Sequence, residues 1–176
     1  MDNSRQIIRF LGTALALYAV WYICYDLYYD HWFNPFTSLD TWITMQEVRI
    51  CSAGLNLLNY KASYIENSLL INNHPVVLVA NGCNGMTLFI LFAGFIIAYP
   101  GPWKAKLLYM IPSIFLIAIL NIFRILALAL NSFHNRETLE FNHKYTFTFI
   151  VYLFIFGLWM LWIKRYAKPD PATVSA

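Results

Sequence analysis

The sequence predicts an all-α membrane protein. It has four transmembrane helices, both termini in the cytoplasm, and an outward-facing segment holding an interfacial helix and a short β-hairpin. Three observations predict this. Hydrophobic residues make up 60% of the 176 and charged residues only 12%, whereas a soluble domain carries about 25% charged residues to solvate its surface. The apolar residues also fall into runs long enough to cross a ~30 Å hydrocarbon core. Finally, Lys and Arg are distributed unevenly about those runs. The length suits one domain, taken as the whole chain 1–176. The net charge of +3 comes with no basic stripe, so nucleic acid is not an expected partner.

The first span covers about 6–26. Arg5 stands just before it and Arg9 in its first turn, as in a signal peptide, but the apolar run is of spanning length and no small-residue cleavage site follows, so a retained helix is expected. The second covers about 84–99 and stops at Pro100-Gly101-Pro102. It is the shortest. The third covers 107–130 and the fourth 145–163. Arg5, Arg9, Lys104, Lys106, Lys164, Arg165 and Lys168 then share one side, which the positive-inside rule makes cytoplasmic. Arg49, Lys61, Arg136 and Lys144 fall on the other, diluted by acidic residues that include Asp40 and Glu47.

Two segments consequently face outward. Within 28–82, residues 39–60 carry Trp42, Met45, Val48, Leu55 and Leu58 at mixed helical spacing, predicting a helix lying in the interface. Residues 68–80 place two β-prone runs around Asn72-Asn73-His74-Pro75, predicting a small hairpin. The second outward segment, 131–144, carries His134 and His143.

Polar groups where lipid penalises them are the best functional signal. Arg124 lies inside the third span, about six residues or ~9 Å below its outer end. Snorkelling could carry such a side chain to water, but intramembrane arginines usually face a polar cavity. Asn121 lies one turn away on the same face. Cys83 stands in Asn81-Gly82-Cys83-Asn84-Gly85, where two glycines allow a tight turn and the following helix start favours a thiolate. Of the other cysteines, Cys24 and Cys51 read as packing residues, although a Cys51–Cys83 disulfide is topologically open. His143 directly precedes the fourth span, and His134, His74 and His31 compete with it. A thiol, a histidine and a cation meeting at one depth would suffice for acyl transfer. No cluster of His, Asp and Glu suggests a metal, and no cofactor is expected.

Taken in order, these residues resemble the exosortase/archaeosortase family of membrane transpeptidases. Gly82-Cys83-Asn84-Gly85 resembles the family's cysteine motif, in which Ala is usual before the cysteine. Asn121-Ile122-Phe123-Arg124 resembles its Asn-x-x-Arg motif, and His143 its histidine. The match covers about 64–163 and looks closest to the short single-domain exosortases of the X or F type, which lack the extra spans of larger members. The resemblance implies Cys83 as nucleophile, His143 as acid/base and Arg124 as stabiliser of thiolate or oxyanion, with Asn121 orienting Arg124. It also implies substrates: exported proteins with a C-terminal membrane helix and basic tail, cleaved at the periplasmic or outer face of the inner membrane and passed to an acceptor nucleophile. The competing expectation is a non-catalytic assembly factor or transporter subunit that uses Arg124 and Asn121 for contacts between helices. A third is a simple protease, with water as acceptor.

Overall fold

The computed structural model describes residues 2–23 and 35–166. Cys24, His31 and residues 24–26 of the first expected span lie outside them. In chain order the elements are α1 (Asp2–Tyr22), α2 (Pro35–Leu57), β1 (Ala62–Ile65), β2 (Ser68–Ile71), β3 (His74–Leu78), α3 (Met86–Ala98) and α4 (Trp103–His134). Then follow α5 (Leu139–Phe141) and α6 (Phe147–Arg165). Helix dominates, as the long apolar runs require: away from water, a helix satisfies every backbone donor and acceptor within its own segment.

Among the described residues two helical runs are long and apolar enough to cross a membrane, Trp103–His134 and Arg136–Arg165. The first outruns the expected 107–130 at both ends, because composition marks where apolarity stops and not where the hydrogen-bonded ladder stops. α3 has only 13 residues, about 20 Å at 1.5 Å per residue, which falls short of a ~30 Å core. Its end is set by Pro100 and by Lys106, whose Nζ donates to the Ile97 carbonyl at 2.7 Å and satisfies one of the last orphan acceptors.

The chain divides into two compact units. One gathers α1, Thr87–Phe115 and the chain from Phe154. Aromatic packing organises it: Phe95 stacks on Trp159 with centroids 4.3 Å apart. Tyr109 donates its hydroxyl to the Leu158 carbonyl at 2.7 Å.

The other unit comprises Pro35–Met86 and Leu116–Leu153. Its core joins Val48, Cys51 and Leu55 of α2, Leu69 and Ile71 of β2, Val76 and Val79, and Ile125 and Ala129 of α4. Each fully buried Leu or Ile there contributes about 2 kcal/mol. The expected helix in 39–60 is present as α2, and its inward face is only partly the apolar set that the periodicity selects: Val48 and Leu55 are buried. Trp42 is 60% and Leu58 56% exposed, while Asp40, Thr44, Glu47 and Cys51 are buried. The expected hairpin is present and belongs to a larger sheet. Asn72 and Asn73 both take positive φ, 52° and 62°, the geometry of a type I′ turn. β1 adds a third strand, giving an antiparallel sheet in the order β1-β2-β3. β1 (Ala-Ser-Tyr-Ile) offers little alternation, so only pairing with β2 makes it a strand.

Candidate active site

The turn that carries Cys83 is built by its neighbours. After β3, the Val79 N–H donates to the Asn67 carbonyl at 2.9 Å, and Asn67 Nδ2 returns a bond to the Val79 carbonyl at 3.1 Å. Asn81–Cys83 then form a 3-10 turn closed by the Cys83 N–H on the Ala80 carbonyl at 2.8 Å. Asn84 anchors the turn from below. Its Nδ2 donates to the Asp40 carboxylate, to the Asp40 carbonyl at 3.2 Å and to Thr44 Oγ1 at 3.1 Å. Its Oδ1 accepts the Met86 N–H at 3.0 Å, capping an orphan donor of α3. Gly85 has φ 79°, a conformation that a Cβ disfavours. Gly82, expected to serve the turn in the same way, has no positive φ, and a Cβ there would meet nothing within 4 Å.

Asn121 and Arg124 extend from α4 toward this turn. Asn121 is buried, and its Nδ2 lies 3.0 and 3.2 Å from the two carboxylate oxygens of Glu47. The same nitrogen lies 3.0 Å from the Cys83 carbonyl. With both hydrogens committed to acceptors, Oδ1 is left to receive Arg124 NH1, at 3.4 Å. Arg124 NH2 lies 3.1 Å from His143 Nε2, and Cys83 Sγ lies 3.8 Å from that nitrogen. Arg124 Nε is buried without a partner among the described residues.

His143 is exposed and sits in a π-turn, Asn142–Thr146, a widened helical turn of a type found at functional sites. The Thr148 hydroxyl donates to the His143 carbonyl at 3.1 Å, and Asn142 reaches Asn131 at 3.4 Å. A guanidinium can only donate, so contact with Arg124 requires an unprotonated Nε2 with the ring proton on Nδ1. The structure thus brings together all four expected site residues. Its rivals lie elsewhere: His134 Nε2 pairs with the Tyr60 hydroxyl at 3.0 Å, and His74 opens β3. Cys51 and Cys83 are both free thiols. Cys51 is fully buried, with Sγ 3.7 Å from the Ile122 carbonyl. Burial, reinforced by the Glu47 charge, pushes its thiol up to about 12.

Glu47 is the participant that the sequence reading passes over, having counted it as a surface charge. Its signal is the polar spacing Asp40, Thr44, Glu47, at i, i+4 and i+7, which stacks three polar groups on one helix face. Burial raises its carboxyl to about 7 against the opposing influence of the Asn121 hydrogen bond and the Arg124 charge.

Cys83, Arg124 and His143 line one cavity of 450 Å³, together with Val76–Val79 and the apolar Ile125, Leu128 and Leu139. Among the described residues no three His, Cys, Asp or Glu side chains could hold a metal ion together.

Two membrane-length helices beside a pocket of thiol, imidazole and guanidinium define a class: a helical membrane protein with a candidate thiol site. The sequence model of the transmembrane exosortase family (Exosortase_EpsH) matches residues 4–163, and the chain belongs to that family. No curated protein and no solved structure matches it significantly. Family membership and the apolar helices make it a membrane protein, and the family suggests a membrane transpeptidase with protein substrates.

Proposed function

We propose that the chain is a membrane-embedded cysteine transpeptidase. It cleaves the C-terminal membrane-anchored sorting signals of exported proteins and transfers the product through a thioester. The observation that carries this reading is the convergence of Cys83 Sγ and Arg124 NH2 on one nitrogen, His143 Nε2, at 3.8 and 3.1 Å. In this proposal the chain crosses the inner membrane four times with both termini cytoplasmic. The site opens to the periplasm or outside, which the excess of Lys and Arg beside the other ends of the spans favours.

The chemistry follows from the groups. Nε2 serves one donor at a time: the Arg124 N–H at rest, and the Cys83 S–H as the thiol attacks. The sulfur adds to the scissile carbonyl while His143 takes its proton. Arg124 stabilises the oxyanion, as a preorganised cation does where charge develops. Collapse breaks the C–N bond and leaves a thioester on Cys83. The proton passes from His143 to the departing amine of the substrate's membrane helix. An acceptor nucleophile then attacks the thioester, gives its proton to His143 and restores the thiol. Asn121 positions Arg124 and the Cys83 backbone.

Cys83→Ala tests the proposal. Substrate accumulates uncleaved in cells carrying the variant, and the wild type yields a thioester-linked fragment on Cys83 by mass spectrometry. A Cys83→Ala chain that still supports processing moves the protein to the non-catalytic class. A free carboxylate at the product's new C-terminus assigns hydrolysis in place of transfer.

A further inference from the structure

Val76, Val77, Leu78 and Val79 are consecutive, yet all four line the cavity that holds Cys83, Arg124 and His143. Side chains of a strand alternate between opposite faces, so a run of successive residues along one cavity, from the irregularity at Val76 to Val79 just past β3, places the strand's edge against it. β3 is the terminal strand in the order β1-β2-β3, which leaves one of its edges unpaired within the sheet. Which groups that edge offers follows from the ladder. The Val79 N–H is directed at Asn67, on the β2 side. Backbone polar groups in an antiparallel pair alternate in direction along the strand. Leu78, registered opposite Ser68, therefore turns its N–H and C=O away from β2. Pro75 within β3 agrees, since proline is tolerated at sheet edges. The Leu78 side chain is 66% exposed.

A free edge is a template for another extended chain. In other recognition modules such an edge supplies main-chain hydrogen bonds, while alternate side-chain pockets supply specificity. Here the edge borders the same cavity as the sulfur. We infer that the substrate's peptide segment beside the scissile bond adds to β3 as a further strand, bonded through Leu78, and so delivers its carbonyl to Cys83; this rests on the acyl-transfer reading above. The occupant is an extended peptide with small or apolar residues at alternate positions. Those side chains meet Ile125, Leu128 and Leu139, with Arg136 and Glu140 as charged groups on the same wall, and the main chain provides affinity that does not depend on sequence.

The experiment uses the full-length wild-type chain in detergent and a series of pentapeptidyl chloromethyl ketones built from small apolar residues. Cys83 displaces chloride to form a thioether, which peptide mass mapping quantifies. Each member of the series carries one backbone N-methyl group, which removes one N–H. Strand addition through Leu78 predicts one sensitive position: methylation of the amide that donates to the Leu78 carbonyl slows labelling about tenfold, the loss of about one hydrogen bond, and methylation at the other amides slows it little. Iodoacetamide, too small to need a strand, is the companion probe. Should it alkylate Cys83 while the peptides show uniform slowing, no slowing or no labelling, strand addition is overturned and the nucleophile assignment stands. Should iodoacetamide fail to alkylate Cys83 in the folded chain, both are overturned.

Discussion

The side-chain amide of Asn121 lies 3.0 Å from the backbone carbonyl of Cys83, tying the helix that bears Arg124 to the turn that bears the thiol. The amide can face only one way. Its donors meet Cys83 and Glu47, and its oxygen meets Arg124. At pH 8, where Glu47 is ionised, Asn121→Asp removes both donors and sets a carboxylate against a carboxylate and a carbonyl. Losing hydrogen bonds of this kind costs about 2–3 kcal/mol, so processing falls about 30- to 150-fold. Adding Glu47→Gln returns an N–H to face the new carboxylate. The double variant therefore recovers part of the lost rate, a coupling that independent sites would not show. Processing rates of the wild type, both single variants and the double variant measure it.

Glu47 also gives stability a pH dependence. Burial holds its carboxyl up at about 7 in the folded chain, above the ordinary 4.5. The Asn121 bond and Arg124 oppose burial without overcoming it, and the Cys51 thiol packs on the same helix face. Between the two values the unfolded chain has lost the proton and the folded chain keeps it. Stability is therefore full below about 4.5 and declines as pH rises through about 7. The decline is on the order of 3 kcal/mol. Glu47→Gln cannot titrate, so it raises the apparent Tm above that of the wild type at pH 8 and leaves it nearly unchanged at pH 5. Thermal unfolding in detergent at the two pH values checks this, and equal shifts at both would refute it.

What the sequence made legible was the chemistry that stands out against a lipid-like background. Arg124 and Asn121 interrupt an apolar run, Cys83 stands between two glycines, and His143 heads an apolar segment; all four meet in the folded unit. The apolar runs likewise located α3, α4 and α6, and Asn72-Asn73 located a hairpin turn. Glu47 stayed hidden because a carboxylate in a segment read as outward-facing looks solvated, and only its distant partner Asn121 explains its burial. The polar part of α2's inward face is hidden for the same reason, although Val48 and Leu55 of the apolar set are buried there. Asp40 and Thr44 are buried against Asn84, about forty residues on, and no local pattern encodes that pairing. β1 is a strand only because β2 lies beside it.

The two glycines around Cys83 differ in what they tolerate. Gly82 stands where the resembled motif usually has Ala, and a Cβ there meets open space. Gly82→Ala should leave stability within about 0.5 kcal/mol. Gly85, at φ 79°, holds a conformation that costs an L-residue about 1–2 kcal/mol. Gly85→Ala should therefore lower the Tm by about 2–8 °C and displace the turn that presents the thiol, slowing processing as well. Thermal unfolding and processing assays of the two variants separate them. Equal destabilisation would contradict the open space at Gly82.

Two histidines at the ends of neighbouring helical segments offer the sharpest comparison. His143 Nε2 lies within reach of both the sulfur and the guanidinium. His134 spends its Nε2 on the Tyr60 hydroxyl and packs edge-on against Phe133 and Tyr60. Removing a general acid/base costs about 10²- to 10⁴-fold in rate, so His143→Ala should reduce processing by that much with little change in Tm. His134→Ala forfeits one hydrogen bond and ring packing, worth about 1 kcal/mol of stability, and leaves processing within about twofold of wild type because its ring does not touch the sulfur. Measuring rate and Tm for both variants distinguishes proton transfer from packing. If His134→Ala instead stops processing while His143→Ala spares it, the proton carrier lies on the Tyr60 side and the distances around Cys83 describe a structural contact.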